Sequence, residues 1–153
     1  MPTNHLIWKP NVTVAAVLER NGHFLLVEED TEEGLQYNQP AGHLDPGESL
    51  VDATIRETLE ETAYTYRPTA LIGIYQHHHA PRNTTYLRFA FTGEITGHDP
   101  ARTLDVGILR ALWMSASEVC ASRAQHRSPL LMQCIDDYLA GQRYPLQLLH
   151  HQS

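Results

Sequence analysis

Cysteine is scarce in this chain: only Cys120 and Cys134 occur, 14 positions apart in a segment that reads helical. Two thiols allow at most one bridge, and the expected reading is a pair of buried thiols in a reducing, cytoplasmic compartment. Long hydrophobic runs are missing too. No stretch approaches the roughly 20 apolar residues that cross a bilayer, so no membrane partner is expected. Met1 to Pro10 lacks an apolar core after a basic start, which argues against a secretory signal. Excess positive charge is also lacking. The formal net charge of −7 argues against broad binding to a nucleic acid polymer, which needs a basic surface. No internal repeat or low-complexity linker divides the chain. At 153 residues, 42% apolar and 19% charged, it is expected to form one domain over 1–153 with a substantial core.

What is present has a readable order. Val12 to Leu18 is a β-branched run, Asn21-Gly22 is a type I′ turn signal, and Phe24 to Val27 returns, which predicts a β-hairpin. Glu28 to Gly34 reads as an acidic loop, followed by a short segment from Tyr37 to His43. Ser49 is a good N-cap for a helix from Leu50 to about Ala63, with Val51, Ile55, Thr58, Leu59 and Thr62 on one stripe. Leu71 to Gln76, Tyr86 to Glu94 and Ile108 to Met114 read as strands. Ser115 with Glu118 marks a short helix, and Leu130 to Ala140 a last one stopped by Gly141. Strands, helix, strands and helices in that order predict an α/β domain with a helix on a mixed sheet.

One segment carries chemistry. At about 100° per residue, Glu57, Glu60 and Glu61 fall on one face of the predicted helix. Like charges at that spacing cost a helix a few tenths of a kcal/mol or more, so stability alone does not explain them. A solvated acidic face is the ordinary explanation of a charge run. Here the preceding loop holds Gly42, Asp45-Pro46 and Gly47, which lets backbone come close. Arg56 and Glu48 stand beside the cluster, where a guanidinium can hold carboxylates bidentately. Oxygen donors without regularly spaced His or Cys select a hard cation, Mg²⁺ or alternatively Mn²⁺. Such an ion also reconciles an acidic protein with a polyphosphate ligand, because it reverses the local sign. Metal-assisted hydrolysis of a small-molecule diphosphate follows as the expected reaction.

The segment resembles the Nudix box, G-x5-E-x7-R-E-U-x-E-E-x-G-U. Five residues separate Gly42 from Glu48 and seven separate Glu48 from Arg56, after which Glu57, Glu60 and Glu61 fall in register. Three positions depart from it: Thr58 at an aliphatic position, Ala63 for the later glycine and Tyr64 for the final aliphatic. The resemblance implies a Nudix-type α/β/α sandwich, with the box helix on one face of a mixed sheet and the C-terminal helices on the other. It implies Glu57 and Glu61 as main metal ligands, with Glu60 and the Gly42 carbonyl beside them. Glu48 and Arg56 resemble the family's orienting pair. Val12 to Ala15, Asn38 to Leu44, Leu87 to Phe89, Arg127 to Leu130 and Gly141 to Leu146 are similar to the bacterial NudJ-type phosphatase subfamily. That likeness implies phosphate release from nucleoside di- and triphosphates or from hydroxymethylpyrimidine diphosphate.

The remaining candidates are weaker. Glu57 can serve as general base, and the loop before the strand Ile108 to Met114 offers Asp105, with Asp99 behind it. Gln39 and His43 bracket the box entry and are expected in the cleft. Arg88 interrupts an apolar strand, either as a phosphate-binding cation or as a side chain reaching solvent. Three consecutive histidines, His77-His78-His79, cannot converge on one zinc ion from a regular strand; His77 is the one expected to meet substrate. Trp113 is expected in the core. The competing functions are a pyrophosphohydrolase that removes oxidised nucleotides and a nucleotide sensor without turnover. The assembly expected is a monomer or a homodimer.

Overall fold

The computed structural model describes residues 6–153. Its first strand, β1 (Asn11–Ala16), does not fold back on the strand that follows. Instead β1 lies between β5 (Ala41–His43), antiparallel to it, and β7 (Thr84–His98), parallel to it, while β6 (Tyr64–His79) completes this sheet beside β7. The second sheet is centred on β3 (His23–Thr31), with β8 (Ile108–Ser115) along one edge. Along the other edge lie β2 (Glu19–Arg20) and then β4 (Gly34–Asn38). The Asn21-Gly22 turn is made as expected, with φ of 53° and 78°, but its hairpin joins only β2 to β3. A turn signal fixes the residues next to it and says nothing about where the longer apolar run upstream will pair.

Among the described residues three α-helices cover the sheets: α1 (Leu50–Thr62), α2 (Ala116–Ala121) and α3 (Leu130–Leu139). Strand alternation sends neighbours to opposite layers. Phe91 packs with Val14, Leu71 and Ala53 of α1, whereas Ala90 packs with Ile72 and with Leu131 and Ile135 of α3. Burying a side chain the size of Phe91 contributes about 1.5–3 kcal/mol, so each helix is held by its own hydrophobic seat. The result is the expected mixed α/β sandwich.

Several elements differ from the sequence reading. The acidic stretch Glu28 to Gly34 is not a loop. It is the end of β3 and the turn into β4, because backbone pairing with β4 on one side and β8 on the other holds the strand whatever side chains it carries. The strands read as Leu71 to Gln76 and Tyr86 to Glu94 run to 16 and 15 residues. They pass Pro68 through register shifts at Thr65/Tyr66, Pro68/Ala70 and Leu71/Gly73. Both cysteines are free, but only Cys134 is buried; Cys120 is exposed on α2. Trp113 is partly buried, its Nε1 donating to the Tyr64 hydroxyl at 3.2 Å.

The box helix begins and ends where its caps place it. Ser49 Oγ accepts the Asp52 amide at 3.0 Å, and Ala63 closes the helix in the left-handed region at φ 63°, donating to the Leu59 carbonyl. Thr58, at the aliphatic position of the box, is fully buried and its hydroxyl finds no partner among the described residues. A buried hydroxyl without a hydrogen bond costs about 1–3 kcal/mol. Thr58→Val, which keeps the shape, is expected to raise unfolding stability by about 1 kcal/mol in a urea titration. An unchanged or lower midpoint would show that the hydroxyl is satisfied in solution.

Candidate active site

The site grows from the junction of β5 and α1. Gly42 leaves its Cα bare, and the Glu57 carboxyl occupies that space: a Cβ there would lie 2.0 Å from Glu57 Cδ. Arg56, one residue earlier on α1, is the hub. Its Nε and Nη2 grip Glu48 at 3.0 and 2.7 Å, and Nη2 also donates to the His43 carbonyl at 3.0 Å. Its Nη1 donates to Glu57 Oε1 at 2.8 Å and Glu60 Oε2 at 3.2 Å. One guanidinium thus spans the loop and two of the three helix acids. Its bond to Glu48, backed by the Asp45 amide, holds the Glu48 carboxyl below the usual range. The same partners raise Arg56 above its already high value.

One cation does not balance this crowd. Oxygens of Glu57, Glu60 and Asp105 lie within 4.8 Å of one another. Asp105 is brought there by its loop, whose amide donates to the Glu60 carbonyl at 3.0 Å; Asp99 instead donates its amide to the Ala63 carbonyl and is not in the cluster. Glu61 turns toward β5 and accepts the Ala41 amide at 2.8 Å. Burial, opposed by that bond and reinforced by the neighbouring acids, pushes Glu61 up to about 8. Burial also raises Glu57, against the pull of Arg56. Converging hard-oxygen donors with unrelieved negative charge suit a divalent cation. Glu57, Glu60 and Asp105, with Glu61 and the Gly42 carbonyl adjoining, can hold one.

Beside the acids opens a cleft of about 350 Å³ lined by Gly42, Glu57, Glu61, His43, His77 and Arg88, among others. Arg88 does not reach solvent: it is 5% exposed, and its Nη1 and Nη2 donate to Gln39 Oε1 at 2.9 Å and Asn38 Oδ1 at 3.2 Å. Both partners are neutral, so a buried positive charge faces the cleft with no carboxylate hydrogen-bonded to it among the described residues. Gln39 lies behind Arg88 rather than on the wall, its Nε2 donating to the Leu131 carbonyl at 2.7 Å. His43 stands at the mouth with its Nε2 3.1 Å from Asn11 Nδ2, its ring 6.4 Å from that of Tyr86.

The sequence reading did not name Glu29, Tyr86 or Arg127 as site residues, yet they also line the cleft. Glu29 is buried on β3 and takes an ion pair from Arg127, 98 positions away. No local pattern could signal that meeting. Tyr86 sits opposite His77 in the β6–β7 register, a pairing hidden by the length of both strands.

The chain belongs to the Nudix hydrolase family, whose NUDIX domain matches residues 8–134. It is accordingly a hydrolase that acts on phosphoanhydride bonds. Within the family it is similar to Phosphatase NudJ of Escherichia coli strain K12, with 41% identity over 143 residues, covering 94% of this chain and 92% of the relative. A NUDIX hydrolase from Nitrosomonas europaea is 54% identical and superposes with a TM-score of 0.92, covering 94% of this chain and 98% of the other. A MutT NUDIX hydrolase from Burkholderia pseudomallei shares the fold at 18% identity and a TM-score of 0.72, covering 85% and 98% of the two chains.

Proposed function

We propose that this enzyme releases orthophosphate from small diphosphate compounds, namely nucleoside di- and triphosphates or hydroxymethylpyrimidine diphosphate, with Mg²⁺ or Mn²⁺ at the acidic cluster. The reading is carried by one observation: Glu57 of the converging acids, Glu61 and a buried Arg88 with no ion pair among the described residues line the same cleft. The NudJ likeness supports the phosphatase outcome.

Glu57, Glu60, Glu61 and the Gly42 carbonyl would hold the ion, and when bound it supplies positive charge to the phosphate chain and acidifies water. Arg56 fixes the rotamers of Glu57 and Glu60 through its hydrogen bonds, so their oxygens need no reorganisation when substrate arrives. Glu57 or Asp105 takes the proton of the attacking water. Arg88 meets phosphate oxygens at the cleft floor, with Gln39 and Asn38 bracing its guanidinium. His43 and His77 border the rest of the substrate. The intact acidic set disfavours a sensor without turnover.

A colorimetric phosphate assay across these substrates and oxidised nucleotides, with and without added pyrophosphatase, tests the reading. Phosphate is expected without pyrophosphatase, falling at least ~100-fold in EDTA and returning with Mg²⁺. Release that ignores EDTA would overturn the metal. Release that appears only with pyrophosphatase, and is strongest on oxidised nucleotides, would favour the sanitising enzyme.

A further inference from the structure

A second groove of about 470 Å³ opens beside the cleft and shares His77, His79, Arg127 and Ser128 with it. Its wall also carries His78, Arg123 and His126, and no Asp or Glu is among its lining residues. In a chain of net charge −7, that run of cationic and neutral donors is out of keeping with the rest of the surface. Arg127 is already matched by Glu29, which faces the cleft, whereas Arg123 makes no ion pair among the described residues. His79 Nδ1 is buried with no hydrogen-bond partner among the described residues. His126 is held by its Nε2 bond to the Val119 carbonyl at 2.8 Å, and His78 by Asn83 at 3.0 Å. The rings are therefore set in place before any ligand arrives. Burial, reinforced by the neighbouring His79, Arg88 and His78, keeps His77 below the usual imidazole range.

We propose that this groove, which adjoins the cleft and shares none of its acids, is a second anion subsite built to take a phosphate dianion. Arg123 supplies the formal charge and the rings of His77 and His79 supply donors along the wall, while His126, whose Nε2–H is spent on the Val119 carbonyl, shapes its edge. The occupant is either a further phosphate carried by the substrate or free orthophosphate. The inference rests on the diphosphate-hydrolase reading for the direction in which substrate lies, and on the groove's own chemistry for the ligand class.

The test compares adenosine 5′-diphosphate with adenosine 3′-phosphate 5′-diphosphate. The second is expected to be used with the higher kcat/KM, and Arg123→Glu to reduce that preference about tenfold while Arg123→Lys retains it, the loss typical of one charge-assisted contact. In parallel, inorganic phosphate is titrated into the unaltered protein while the imidazole NMR signals of His78 and His126 are followed. Saturable shifts that vanish in Arg123→Glu support the subsite. With an unchanged preference they assign it to free orthophosphate; with a reduced preference, to the substrate. No shift together with an unchanged preference overturns it. If the enzyme releases phosphate from neither nucleotide, the nucleotide part of the proposed substrate range fails, and the phosphate titration still decides the groove.

Discussion

Glu57→Gln and Glu61→Gln are each expected to lower turnover at least ~100-fold while far-ultraviolet circular dichroism stays that of the parent. Both substitutions keep the shape and the hydrogen-bond acceptors. A glutamine at 61 still offers an oxygen to the Ala41 amide, and one at 57 still offers an oxygen to Arg56. What disappears is charge. Without a cation that charge is a burden on the fold. Burial raises Glu61 from 4.5 to about 8, so it contributes most below pH 4.5, and that contribution is lost as pH rises toward 8. In EDTA the Glu61→Gln variant should therefore melt no lower than the parent, with the difference growing from pH 5 to pH 8. A variant that is stable but inactive places the acid in the reaction. Near-parental rates in either variant would remove the proposed mechanism.

Gly42→Ala is expected to be as damaging, although it touches no charge. The new methyl would lie 2.0 Å from Glu57 Cδ and about as close to both carboxyl oxygens, at 2.2 and 2.3 Å. Glu57 must leave, and its bond to Arg56 goes with it. Displacing a reacting group by about 1 Å can cost ~100-fold, so turnover should fall by at least that factor. The double variant Gly42→Ala with Glu57→Gln separates causes. If the glycine acts through Glu57, the pair loses about as much as Glu57→Gln alone. Full additivity would show that Gly42 serves the reaction by another route.

Much of the site was legible because its signal is local. The Ser49 cap, the helix and the spacing from Gly42 to Glu61 all lie within one turn-helix unit, where sequence distance and spatial distance run together. Asp105 was legible only as a candidate, since a loop has no period to place it. The parts that escaped are long-range. The β-branched run from Val12 to Leu18 shows that a strand forms there, but not that β5 and β7 will flank it. Gln39 looked like a wall residue and is a brace behind Arg88, because which face of a short segment turns inward depends on what packs over it from α3. The Glu29–Arg127 pair joins two segments that share no pattern.

The end of α1 has a consequence for how the enzyme can diversify. A helix leaves its last carbonyls without internal partners. Here the loop between β7 and β8 takes them up at two places, Asp99 on the Ala63 carbonyl and Asp105 on the Glu60 carbonyl, both at 3.0 Å. The segment between those anchors is therefore free to lengthen, shorten or change sequence while its acid keeps its station. Natural variation, or a deliberate loop graft, can reshape that rim without retuning the helix beneath it.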